Sequence, residues 1–69
     1  VRAGVPDICL PVARGGYHGL FIEMKAPNGR TSDAQNIWIE KLKNNGYAVK
    51  VCYGFESAQQ TLLSYLDEK

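Results

Sequence analysis

Two apolar runs, Leu20–Lys25 and Ala48–Tyr53, flank one amphipathic stretch that ends just before the second run. This spacing constrains the chain more than any other feature. A strand, a helix and a short return to a second strand are built as a right-handed parallel crossover. Ahead of the crossover, residues 6–10 read as a short strand bounded by Pro6 and Pro11. The glycine-rich stretch 14–19 then turns the chain back as an antiparallel hairpin. The expected order is β-β-α-β-α, an α/β fold with a small mixed sheet flanked by helices.

The helical signals support that order. Ser32-x-x-Gln35 has the form of a capping box, with Asp33 in the first turn, where the helix dipole favours negative charge. Ala34, Ile37, Trp38, Lys41 (by its stem) and Leu42 recur at three- and four-residue spacing and form the expected inward stripe. Gly46 stands where a helix commonly ends in a left-handed residue. A second Ser-x-x-Gln places the start of the last helix at Ser57, with Ala58, Leu62, Tyr65 and Leu66 as its buried stripe.

Composition sets the outer bounds. Sixty-nine residues with 45% hydrophobic content make one small globular domain. No apolar run approaches the roughly 20 residues of a membrane span. A net charge of +1 does not announce a nucleic-acid partner, so such affinity must come from local basic groups and bound metal. Cys9 and Cys52 lie in apolar strands and read as two buried thiols of a reducing, intracellular protein. His18 is isolated, so no zinc-type grouping is present. The chain opens at Val1 without a methionine, and residues 1–69 are expected to be one domain taken from something longer.

The chemistry resides in four residues. Glu23 and Lys25 sit two apart in an apolar strand and therefore share a face, while Leu20, Ile22 and Met24 take the other. Charges inside an apolar run are costly unless paired or metal-bound. If the hairpin closes as expected, Asp7 comes to lie beside them. Two carboxylates with a main-chain carbonyl, that of Met24, make a hard oxygen site suited to Mg²⁺ or Mn²⁺. Lys25 would orient the attacking water or stabilise charge on phosphorus, and Gln35 would hold the water or a phosphate oxygen.

Each residue alone also has a plain reading. Asp7 after proline suits a turn, Glu23 and Lys25 suit a solvated ion pair, and Gln35 suits a simple cap, a role that one amide seldom combines fully with a site role. Arg14, Gly15, Gly16, Arg30, Lys41 and Lys43 are candidate phosphate contacts, and individually they are ordinary surface residues.

Gly4-x-Pro6-Asp7, a hairpin, Glu23-x-Lys25 and Arg30-Thr31-Ser32-x-x-Gln35-x-x-Trp38 together resemble the VRR-NUC (virus-type replication-repair nuclease) branch of the PD-(D/E)XK nuclease superfamily. The tail Ala48–Tyr53 with Gly54 resembles it as well. The resemblance implies a restriction-endonuclease-like core and a Mg²⁺- or Mn²⁺-dependent deoxyribonuclease. Asp7 and Glu23 would bind metal, Lys25 would be the catalytic lysine, and Gln35 the motif glutamine. Small standalone members look like homodimers cutting branched DNA such as four-way junctions, in the cytoplasm (the host's, for a phage-encoded member). Larger members act on flaps and repair intermediates. Family members usually carry a helix ahead of Gly4 that supplies a further glutamate, and this sequence departs from them there. A non-catalytic DNA-binding module of the same fold, or a structural domain with coincidental charges, are the readings from other classes.

Overall fold

A computed structural model describes residues 4–69. The expectation of a domain running from Val1 therefore reaches outside the described residues. Strands β1 (Ile8–Leu10), β2 (Leu20–Lys25) and β3 (Ala48–Tyr53) form one sheet in that order, with helix α1 (Asp33–Asn44) between β2 and β3 and helix α2 (Phe55–Asp67) after β3. β1 pairs antiparallel with β2, and β2 pairs parallel with β3. This is the β-β-α-β-α mixed sheet expected from the sequence.

The hairpin turn is built on Gly15 and Gly16, both at positive φ, between the mutually bonded Arg14 and Tyr17. Positive φ at both central residues matches the twist of the flanking strands. α1 is closed at both ends. Ser32 and Gln35 form the full reciprocal capping box. At the other end, Gly46 N–H reaches Lys43 O and Tyr47 N–H reaches Leu42 O, a Schellman arrangement with Gly46 at φ +90. A Cβ at Gly46 would stand 2.6 Å from the His18 ring, so glycine is needed there for space as well as for φ.

The two sheet faces differ. Leu20, Ile22 and Cys52, each at most 1% exposed, meet Ala58 and Tyr65 of α2, with Ile8, Leu10, Met24 and Leu62 packed around them. The Tyr65 hydroxyl donates to Val12 O and ties α2 to the hairpin loop. On the opposite face α1 lies over β3, yet none of its residues is fully buried. Phe21, Tyr47 and His18 meet edge to face at the end where β2 begins.

Several expectations need correction. β1 starts at Ile8, because the ladder stops where Pro6 would oppose Met24. The inward stripe of α1 is Gln35, Trp38, Ile39 and Leu42; Ala34, Lys41 and Ile37 are exposed. α2 begins at Phe55 behind Gly54, with no side-chain cap, so Ser57 lies inside its first turn. β3 ends at Tyr53 as expected, and the helix starts as soon as Gly54 has turned the chain. Leu66 is 42% exposed, and Thr61 takes a half-buried place near Cys52 instead. Cys52 is buried as expected, but Cys9 is exposed, since it sits on the edge strand of the α1 face, where α1 covers β3 and does not reach β1.

Candidate active site

The register of the hairpin creates the site. Cys9 opposes Phe21 and Ile8 opposes Ile22, so one further step sets Asp7 against Glu23. There the main-chain ladder gives way to a side chain: Asp7 Oδ2 accepts the Met24 N–H at 2.9 Å. Within a strand a residue's N–H and C=O point to the same edge. The Met24 carbonyl therefore shares the Asp7 edge and turns away from β3.

Glu23 is 3% exposed, and its Oε1 is a buried side-chain oxygen with no hydrogen-bond partner. Burial pushes its carboxyl above the ordinary 4.5; hydrogen bonding with Asp7 and the Asp7 charge add to the rise, and Lys25 opposes it. Asp7 is held below its ordinary 3.8, first by the Met24 N–H, then by Glu23, and more weakly by the Lys25 charge. The pair is thus asymmetric, with Asp7 as the standing anion and Glu23 as the holder of any shared proton. An unpartnered buried carboxylate oxygen beside a second carboxylate fits a hard cation. Among the described residues no third His, Cys, Asp or Glu joins them.

Lys25 lies on the same face and donates to Gln35 Oε1 at 2.7 Å. The same oxygen accepts the Ser32 N–H at 2.8 Å, and Ser32 Oγ accepts the Gln35 N–H at 3.1 Å. One carbonyl oxygen of Gln35 thus serves the helix cap and receives the Lys25 ammonium at the same time. Gly4 completes the arrangement. At φ +90 its Cα faces the α1 backbone so closely that a Cβ would stand 2.6 Å from Ala34 O. This contact sets the segment bearing Asp7 against the turn bearing Gln35. Sequence reasoning recognised Gly4 in the motif but not this close approach, for which its place just ahead of Pro6 was the only signal.

Asp7, Glu23, Lys25 and Gln35 are therefore brought together. The candidate phosphate contacts are not. Arg30 is exposed in the loop between Lys25 and α1, at the site end. Arg14, Gly15 and Gly16 form the hairpin turn before β2, about 17 Å away by the length of that strand. Gly15 N–H bonds Lys69 O there, and Arg14 donates to Ala13 O. Lys41 and Lys43 are in the last turn of α1, near that same far end, with Lys41 Nζ 5.9 Å from the centre of the Trp38 ring. An open groove of about 840 Å³ between β3 and α2 includes Lys43, Lys50 and Tyr65 and none of the four site residues. Among the described residues no helix is long and apolar enough to cross a membrane.

Comparison with known proteins gives a consistent result. The VRR-NUC domain family matches residues 1–56. A solved structure of a VRR_NUC domain protein superimposes with a TM-score of 0.90 at 39% identity, covering 96% of this chain and 55% of that one. Fanconi-associated nuclease 1 of Danio rerio is 36% identical over 52 residues, 75% of this chain and 5% of the relative. The Homo sapiens and Ailuropoda melanoleuca proteins of that name are 36% and 35% identical over the same length. The chain thus spans about one-twentieth of the curated relatives it matches.

Proposed function

The chain belongs to the VRR-NUC domain family, and from that premise we propose that it is a metal-dependent endonuclease acting on branched DNA in replication, recombination or repair. The observation that carries this reading is the buried Glu23 carboxylate, with one unpartnered oxygen, set against Asp7 and beside Lys25. Asp7, Glu23 and the Met24 carbonyl would hold Mg²⁺ or Mn²⁺. Bound there, such an ion would polarise the scissile phosphate and lower the pKa of a water.

The chain's own groups do the rest. Asp7 anchors the Met24 segment through its hydrogen bond and keeps its negative charge. Glu23 would serve as a ligand in its deprotonated form. Lys25, held by Gln35, keeps donors free for the attacking water or the phosphoryl oxygens. Among the described residues, Arg30 is well situated for a phosphate flanking the cut. Arg14, Gly15, Gly16, Lys41 and Lys43 would meet a DNA arm farther from it. This mode is phosphate contact without base reading.

The reading extends to a homodimer inside the cell. Ile37, Tyr53, Phe55 and Leu63 stand half or more exposed, and a second copy covering such surface would present two sites at fixed separation, as the paired strands of a four-way junction require. A second reading is a nuclease domain working within a longer repair protein, favoured by the much longer relatives. Cleavage of linear, flap and four-way DNA, with Mg²⁺ and with EDTA, tests both. Metal-dependent cutting of the junction first supports the dimeric resolving enzyme, and preference for flaps by a monomer supports the second reading. No cutting of any substrate overturns both in favour of a DNA-binding module.

A further inference from the structure

We propose that Ser32 is a positioning residue for phosphodiester cleavage, holding the Lys25 ammonium through Gln35; this rests on the nuclease reading above. The side chain of Gln35 is fixed from two directions. Its Oε1 takes N–H groups from Ser32 at 2.8 Å and from Lys25 Nζ at 2.7 Å, which fills both acceptor sites of a carbonyl oxygen. Ser32 Oγ meanwhile takes the Gln35 N–H at 3.1 Å, locking the first turn in which that side chain is rooted.

The surrounding loop is stiffened as well. Thr31 Oγ1 donates to Asn36 Oδ1 at 2.7 Å, and Gly4 closes on the Ala34 backbone from the other side. Lysine is a flexible four-carbon stem with a point charge, so its aim depends on whatever receives its donors. Here the receiver is the amide that caps α1. One bond to Gln35 leaves two Nζ donors for the reacting groups, and the direction of that one bond is set by the cap. A helix cap, ordinarily a device for stability alone, thereby aims the catalytic charge.

The test separates aim from stability by comparing three substitutions. Ser32→Ala removes the Oγ acceptor and weakens the cap. Ser32→Gly also removes Oγ but is a tolerated cap residue that costs the helix little. Ser32→Thr keeps the hydroxyl. Expected is a fall in kcat of about tenfold for both the alanine and glycine variants, with KM within about twofold and Thr close to wild type, equivalent to roughly 1.4 kcal/mol of barrier. In a Gln35→Ala background, Ser32→Ala should cost no further kcat, because its effect passes through that side chain. Unchanged kcat in Ser32→Gly, or full additivity with Gln35→Ala, overturns the proposal and leaves Ser32 as a cap. The wild-type rate measured alongside with Mg²⁺ tells the two failures apart. An inert wild type overturns the nuclease reading itself, whereas an active wild type with indifferent Ser32 variants overturns only this role.

Discussion

The two faces of the sheet carry different burdens. The face under α2 carries the core, with Leu20, Ile22 and Cys52 almost wholly buried against Ala58 and Tyr65, although an open groove runs between β3 and α2. The face under α1 is shallow: no α1 residue is fully buried, Cys9 is exposed, and the fully buried acid Glu23 lies on it. Adjacent residues of β2 thus take opposite faces, Ile22 in the core and Glu23 at the proposed site. A carboxylate kept buried there with one oxygen unpartnered is what the proposed metal site rests on.

Substitutions in these neighbours should break the comparison most sharply. Ile22→Ala is expected to cost about 2–5 kcal/mol, enough to threaten a domain this small, as read by urea unfolding. Glu23→Gln, one residue on, should leave the unfolding midpoint unchanged or higher, because it relieves a buried charge, while abolishing cleavage. If Glu23→Gln unfolds the chain as Ile22→Ala does, the two faces are not functionally distinct.

Lys25→Ala comes next. We expect metal and DNA binding to persist while turnover falls by at least about a hundredfold, roughly 2.7 kcal/mol, since the ammonium acts on charge that develops in the transition state. Wild-type turnover would reduce Lys25 to a partner of Gln35. Gln35→Glu should act more mildly. A carboxylate can still accept from Ser32 and Lys25 and suits a helix N-terminus, so stability is kept or raised. It would also bind the lysine more tightly and add negative charge beside the site, lowering cleavage about tenfold, or roughly 1.4 kcal/mol. Melting and rate measurements on the same sample would separate the two effects.

Acidity sharpens the contrast further. Glu23 binds its proton more tightly folded than unfolded, so without metal it erodes stability as pH rises from 4.5 through its raised pKa. Asp7 runs the other way: its contribution is present above 3.8 and is lost as pH falls through its lowered pKa. A divalent ion must displace the Glu23 proton, so the rise in melting temperature on adding Mn²⁺ should be small near 4.5 and should grow as pH climbs past the raised value. A gain independent of pH would mean that the ion binds elsewhere. The smallest effect is expected at Cys9, where Cys9→Ala should alter stability by no more than about 0.5 kcal/mol and leave cleavage unchanged.

The sequence made strand order, capping box and the meeting of Asp7 with Glu23 legible because each depends on local period or register. A two-residue repeat fixes which side chains share a face. It does not say whether anything covers that face, which is why Cys9 was expected to be buried and why the stripe of α1 was drawn through Ala34 and Ile37 instead of Gln35 and Ile39. The start of α2 was misread for a related reason. A Ser-x-x-Gln pattern competes with a glycine that lets the helix begin at once, and the turn out of β3 decided in favour of Gly54. Two features of the site were not fully legible, the contact of Gly4 with Ala34 and the double use of the Gln35 oxygen. The cap half of that double use is local and legible, but the Gly4–Ala34 and Lys25–Gln35 contacts join separate segments, where spacing carries no information.

The most direct test of the central claim is calorimetric titration of Mn²⁺ into the wild type, Asp7→Asn and Glu23→Gln at neutral pH, each first shown to be folded. We expect one saturable site in the wild type and none in either variant. Equal heats from all three proteins would contradict the assignment of Asp7 and Glu23 as the metal-holding pair.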